Sequence, residues 1–249
     1  KTRQAGARTI AITNTPESPL AHSADITLNP GASFDHFVSV TMYSALTLVG
    51  GLLAAAVLNN LDESLTASLF APLSAVQKVL DVWSEQVAES NWLQRDMSAY
   101  CLARGTSLAS CHEARLLWEE AAKAPATALT TGGFRHGPQE MIAEGMRFGL
   151  WVDAERMRSQ DLAVAADLHK LGGKIMLIGQ DLPESAGDLV FSIPKIPSAW
   201  QFLIDIMPVQ LAAERLSHLR GVDCDSFRIC SYIVESEYGL IADPKTGAP

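Results

Sequence analysis

The sequence predicts an α/β chain of the doubly wound kind, with parallel strands covered by helices on both faces. Three observations carry that prediction. Short, largely apolar runs recur at 9–13, 24–28, 99–103, 147–152, 174–179 and 189–193, and the β-branched run at 9–13 has the pattern of a buried parallel strand. Segments with helical apolar spacing lie between most of them, at 35–58, 64–90, 107–123, 161–171 and 199–220, and such alternation implies a parallel sheet. The chain also echoes itself: Gly-Ala-Arg-Thr-Ile-Ala-Ile-Thr-Asn at 6–14 matches Gly-Gly-Lys-Ile-Met-Leu-Ile-Gly-Gln at 172–180. After each copy come a proline, a short loop and an aspartate opening a strand, Asp25 and Asp188.

In the first unit the strand at 9–13 follows Gly6 and the next occupies 24–28. Residues 37–58 carry no charge and are long enough on paper to span a bilayer. They contain Ser39, Thr41, Ser44, Thr47 and Gly50-Gly51, and the nearest cations are Arg8 and Lys78, so no basic anchors flank them. A buried helix suited to a subunit interface is the expectation, with no membrane partner. Ser64 is the expected N-cap of the helix over 64–90.

The second unit opens with a strand at 99–103 that ends on Arg104-Gly105, followed by a helix over 107–123 and a strand at 147–152. The helix over 161–171 is closed by Gly172-Gly173, strands follow at 174–179 and 189–193, and a helix over 199–220 carries a kink or local break at Pro208. The expected division is 1–90 for the first unit with its connecting helices, 91–241 for the second, and a tail at 242–249. The first copy lacks the strand–helix–strand that precedes Gly172 in the second. The expectation is therefore a longer parent protein that supplies it.

With 249 residues, 48% of them hydrophobic, the chain can bury a sizeable core. A net charge of −9 with no run of Lys or Arg argues against a nucleic-acid partner. Cys101, Cys111, Cys224 and Cys230 show no CxxC spacing, and no signal peptide stands at the N-terminus, so a reducing cytoplasm is expected. Cys111-His112 has no second ligand pair at zinc-like spacing, and no metal is expected.

The chemistry-bearing pair is Glu120, in a helical run, and His136, in Gly132-Gly-Phe-Arg-His-Gly-Pro138, a glycine-hinged loop leading through Pro138 into another helix. A carboxylate on a helix can move a proton between neighbouring carbons, and a loop histidine can protonate or deprotonate a ring oxygen. Glu113 shares the face of Glu120, so a solvated acidic stripe fits the same spacing; Glu119 points about a hundred degrees away. Arg135 suits a phosphate or carboxylate, and equally a surface ion pair. Arg104 and Gly105, with Thr106 and Ser107 beyond, lie where ligands meet open α/β sheets. Asn14 and Thr15 stand at the corresponding point of the first copy, where ordinary turn chemistry is the alternative.

Six segments in order give a family resemblance covering nearly the whole chain: Ala7-Arg-Thr-Ile-Ala-Ile-Thr-Asn14, Ser18-Pro-Leu-Ala21 with Ala24-Asp25, Leu102-Ala-Arg-Gly105, the Glu120 helix through His136-Gly-Pro138, Pro208-Val-Gln-Leu211, and Arg220-Gly-Val-Asp-Cys-Asp225. In these it resembles the sugar isomerase (SIS) proteins, which include the isomerase domain of glucosamine-6-phosphate synthase and the fructosamine-6-phosphate deglycases. The resemblance implies two SIS subdomains, each a flavodoxin-like parallel sheet flanked by helices, the first N-terminally incomplete and without its Ser-rich phosphate loop. It implies Glu120 as the base that moves a proton between C1 and C2 through an enediol. His136 becomes the ring-opening group, reaching the neighbouring subunit's site in a homodimer. Val38 and Thr41 match the segment that runs past the sugar.

The chain departs from the glucosamine-forming enzymes in three places. Met42 and Leu117 stand where those enzymes have lysines, and the tail offers Tyr232 or Glu235 in place of another. The implied activity is a ketose–aldose isomerase of an amino or related sugar 6-phosphate, needing no redox cofactor. A fructosamine-6-phosphate deglycase or deaminase and a non-catalytic sugar-phosphate sensor are the alternatives.

Overall fold

The computed structural model of the chain describes residues 5–230 and residue 240. Its main body is a five-stranded, all-parallel sheet: β3 (Ala99–Ala103), β4 (Ala126–Thr130), β5 (Arg147–Trp151), β6 (Lys174–Gln180) and β7 (Leu189–Ile193), in the order β4-β3-β5-β6-β7. Numbered within the sheet this is 2-1-3-4-5, the flavodoxin-like order, with the switch point between β3 and β5. A separate two-stranded parallel sheet joins β1 (Ile10–Ile12) to β2 (Ile26–Leu28) across the short helix α1 (Pro19–Ser23).

Both faces of the central strands β3, β5 and β6 are buried, which explains why these read as largely apolar runs. Leu102, Phe148, Leu150, Ile175 and Leu177 pack beneath α7 (Arg158–Lys170) with Phe134 and Leu168. On the other face, Cys101, Ala103, Trp151, Met176, Ile178 and Phe191 pack against α4 (Leu80–Glu89), α5 (Leu108–Glu120) and α8 (Met207–Arg220). Outside that layer lie α2 (Thr41–Val57) and α3 (Glu63–Val76). Among the described residues, no helix is long and apolar enough to cross a membrane. The Cys101 and Cys111 thiols are buried, and burial pushes that of Cys111 up to about 12.

The internal echo is reproduced bond for bond. Asp25 N–H donates to the Thr9 carbonyl at 3.0 Å while its carboxylate accepts from Thr9 N–H at 2.7 Å. Asp188 N–H donates to the Ile175 carbonyl at 2.8 Å and its carboxylate accepts from Ile175 N–H at 2.8 Å. Ile10 pairs with Ile26 as Met176 pairs with Leu189.

Several boundaries differ from the sequence expectations, each for a local reason. The helix expected from 35 begins at Thr41, because Asp35 turns its carboxylate back onto the amides of Val40, Thr41 and Met42. The segment expected as one helix over 64–90 is two, α3 and α4. Asp62, not Ser64, caps the first, accepting from Leu65 N–H at 2.7 Å. The helix expected from 199 is a 3-10 turn at Ser198–Leu203 followed by α8, so the segment is broken just before Pro208, which sits in the first helical turn, where it costs no hydrogen bond. Strand β4 was not anticipated. The segment after Pro138 is a 3-10 turn, Pro138–Met141, and not an α-helix.

Candidate active site

The residues expected to bind substrate divide between the two ends of the large sheet. At the carboxyl end of β3, Arg104 donates through Nε to Asp161 at 2.7 Å, and Asp161 has no exposed surface. Burial raises the Asp161 carboxyl, and the Arg104 hydrogen bond and charge oppose the rise. Gly105 takes a φ of +54°, a left-handed conformation that suits glycine. Thr106 Oγ1 donates to the Ser198 carbonyl at 3.2 Å, and buried Ser107 donates to Asp205 at 2.5 Å. The switch-point crevice is thus bridged by the chain's own groups, and Arg104, Thr106 and Ser107 already hold protein partners.

Asp205 is the centre of a buried polar cluster. Ser110 also donates to it at 2.5 Å, Gln201 joins it to Ser107 and to the Val152 carbonyl, and Gln180 donates to Gln201 at 3.1 Å. Burial pushes the Asp205 carboxyl up to about 7 against the pull of Ser107, Ser110 and Gln201.

His136 lies at the same end of the sheet, beyond β4. Thr130 Oγ1 accepts from Gly133 N–H at 2.9 Å and folds Thr131–Phe134 into one helical turn, α6; Gly137 follows His136 at a φ of +130°. A Cβ on Gly132 would come within 3.6 Å of an Arg104 guanidinium nitrogen, so the turn runs beside Arg104. His136 is exposed. Arg135, also exposed, lines a surface groove with Gln139, Glu140, Asp167 and Lys170.

Glu120 is at the opposite end. It is the last residue of α5, which runs back from the carboxyl ends of the strands, and Ala99 N–H bonds to the Pro125 carbonyl just before β4 begins. The five residues of β4 separate Glu120 from His136 by about 16 Å along the strand direction. Within one chain this acid and this base do not meet. Burial raises the Glu120 carboxyl, as does Glu119 next to it; Arg115 and Lys123 oppose the rise. Glu113, two turns earlier, is pushed up to about 7 by burial and then by the Glu120 charge. Glu119 pairs with Arg115 and is exposed, so Glu120 is the inward member of the adjacent pair.

One turn before Glu120 and one residue after it, Leu117 and Ala121 line a pocket of about 280 Å³. Its other walls are Phe34, Asp35, His36, Val38 and Val40 from the loop before α2, Gln210, Ala213 and Glu214 from α8, and Cys224 and Asp225 beyond it. Of the expected binding residues, Val38 is in this pocket. Thr41 is exposed at the first turn of α2. Asn14 spends its amide on the backbone of Ala32, donating at 2.7 Å and accepting at 2.9 Å. Tyr232 and Glu235 lie outside the described residues.

Lys123 ties the pocket together. Its ammonium donates to the carbonyls of Asp223 and Ser226, both at 2.7 Å, fixing the loop that presents Cys224 and Asp225 to the end of α5. Asp225 in turn accepts from the amides of Phe37 and Val38 at 2.8 and 3.0 Å and stands 3.2 Å from His36 Nδ1. The Val38 amide above all, with the Phe37 amide and His36, holds the Asp225 carboxyl below its ordinary value against burial, which raises it. Sequence reasoning singled out none of Lys123, His36 or Asp225 as site residues. The signal for Asp225 was present in Arg220-Gly-Val-Asp-Cys-Asp225, but His36 is recognisable only once that loop is seen beside it.

No family model matches the chain. An isomerizing glutamine–fructose-6-phosphate aminotransferase of Shouchella clausii is 25% identical over 232 residues, which cover 91% of this chain and 38% of that protein. The chain therefore spans less than half the length of the relatives it matches. Among solved structures, a glucosamine-6-phosphate deaminase from Thermotoga maritima has a TM-score of 0.69 at 21% identity, covering 88% of this chain and 64% of that one. A tagatose-6-phosphate ketose/aldose isomerase from Escherichia coli has a TM-score of 0.68 at 18% identity, covering 87% and 61%. The chain is a sequence relative of the isomerizing glutamine–fructose-6-phosphate aminotransferases and shares the fold of the sugar isomerase (SIS) proteins.

Proposed function

We infer that the chain acts on a sugar phosphate as a ketose–aldose isomerase, with an amino or related sugar 6-phosphate as substrate and an enediol as intermediate. The observation that carries this reading is Glu120, half-buried and with its carboxyl raised, at the end of α5 between Leu117 and Ala121, the two residues of that segment that line the Val38–Leu117 pocket. A carboxylate raised toward neutrality accepts a carbon-bound proton more readily and still returns it. In this reading Glu120 takes the proton from one of C1 and C2 and returns it to the other.

His136 is the ring-opening group of the same reaction, supplied to this pocket by a second copy in a homodimer. The separation across β4 supports that assignment, since one chain cannot bring Glu120 and His136 to one sugar. Arg104, Gly105, Thr106, Ser107 and Asn14 then act mainly as architecture, and Arg135 accompanies His136 across the interface. The duplicated Asp25 and Asp188 clamps support reading 1–90 as part of a first SIS subdomain and 91–241 as the second.

The test is solvent deuterium incorporation at C2 of fructose 6-phosphate and glucosamine 6-phosphate, with the parent protein and Glu120→Gln. Exchange in the parent that falls by about a hundredfold or more in the variant is the expected result. Tight binding with no exchange in the parent would replace this reading with that of a sensor.

A further inference from the structure

Moving a carbonyl from C2 to C1 needs two proton relays, one between the carbons and one between the oxygens, and Glu120 serves only the first. The pocket beside it holds one imidazole, a group able both to give and to take a proton. That is His36, whose ring is held on two sides. Nδ1 lies 3.2 Å from Asp225, and the ring meets Phe37 edge-on at 4.8 Å, Phe37 itself packing against Phe227. Asp225 is fixed in turn by two backbone amides. A carboxylate on Nδ1 sets the tautomer, leaves Nε2 as the working nitrogen and balances the positive charge the ring takes on with a proton.

Of the other walls, Leu117, Ala121, Val38 and Ala213 are apolar, Asp35 is committed to three amides, Glu214 stands 3.2 Å from His218 Nε2, and the Cys224 thiol is a weak donor and acceptor. Gln210 Nε2 is buried and, among the described residues, makes no hydrogen bond, which leaves a donor for a ligand oxygen. A pocket of about 280 Å³ is near the lower limit for small-ligand sites, so one sugar would touch most of its walls.

We propose that His36, oriented by Asp225, is a second catalytic residue of this pocket and carries the proton between O2 and O1 while Gln210 holds one of those oxygens. The proposal rests on the isomerase reading above. As Glu120 takes the C1 proton of the ketose, the protonated ring gives its Nε2 proton to O2 and the C1–C2 double bond forms. The neutral ring then takes the proton from O1 as protonated Glu120 delivers its proton to C2. The aldehyde forms at C1, and both residues return to their starting states.

The experiment is steady-state isomerisation of fructose 6-phosphate by the full chain carrying His36→Gln, and by His36→Ala with and without added imidazole. With 65% of the His36 side chain exposed, neither change opens the core. The expected result is a kcat lower by about a hundredfold or more with KM nearly unchanged, partly restored by imidazole in His36→Ala. Full activity in His36→Gln beside an active parent overturns the proposal and leaves the Glu120 assignment standing. So does a loss that imidazole does not relieve. A parent that incorporates no deuterium from solvent overturns the isomerase reading, and this proposal with it.

Discussion

Asp205 has no exposed surface, and its two oxygens are occupied by the hydroxyls of Ser107 and Ser110, which fastens the start of α5 to the turn before α8. Burial outweighs those donors and pushes the carboxyl up to about 7, against an ordinary value of about 3.9. The folded chain therefore keeps a proton that the unfolded chain has released between those two values. Stability from this group is complete below about pH 4 and is lost as pH rises toward 7, at most about 1.4 kcal/mol per pH unit. Glu113, pushed up to about 7, acts in the same window. Asp188 and Asp225, both lowered, weaken the fold only as pH falls below the ordinary carboxylate range. Urea unfolding midpoints at pH 5, 6 and 7.5 should fall in that order, and Asp205→Asn should flatten the trend to the share left by Glu113 and by the other raised carboxyls, Glu120 and Asp161. An unchanged slope in the variant would remove Asp205 from the account. Nothing in the sequence marked Asp205, because its partners lie 95 and 98 positions away.

At the scale of elements, what was legible in the sequence was what one segment decides alone. The strands at 147–152, 174–179 and 189–193 were readable because both their faces are apolar, and the end of α7 because Gly172 takes a φ of +88° and closes it. β4 was missed because Ala-Thr-Ala-Leu-Thr is an edge strand, only half-buried, with no large apolar run. The expected helix over 107–123 overran at both ends, and the early stop at Glu120 shapes the site. Lys123 leaves the helix with a φ of +53°, reaching the carbonyls of Asp223 and Ser226. Replacing Lys123 by Met keeps the stem and removes the hydrogen bonds. It should cost on the order of 1–3 kcal/mol of stability and raise KM more than it lowers kcat, since the loop carrying Asp225 loses its tether. Denaturant titration together with a kcat and KM comparison checks this; unchanged stability and KM would show that α8 alone positions the loop.

For the whole molecule, the sequence suggested one acid–base pair sixteen residues apart, and the fold puts a β-strand between its members. That geometry separates two designs that the sequence leaves equivalent. If Glu120 and His136 serve one sugar, the sugar lies between two copies, and each site takes Glu120 from one and His136 from the other. Glu120→Gln and His136→Asn homodimers would each then be inactive. Refolding them together in equal amounts makes half of the dimers mixed, each with one intact site and one carrying both lesions. Activity should return to about a quarter of the parent value, as twofold symmetry requires. No recovery, with mixed dimers verified by differential tags, would mean that every site carries one of the two lesions and that no site draws Glu120 and His136 from different chains. In that case His136 acts where its own chain holds it, beside Arg104, and the ring-opening role must pass to a group already in the Val38–Leu117 pocket.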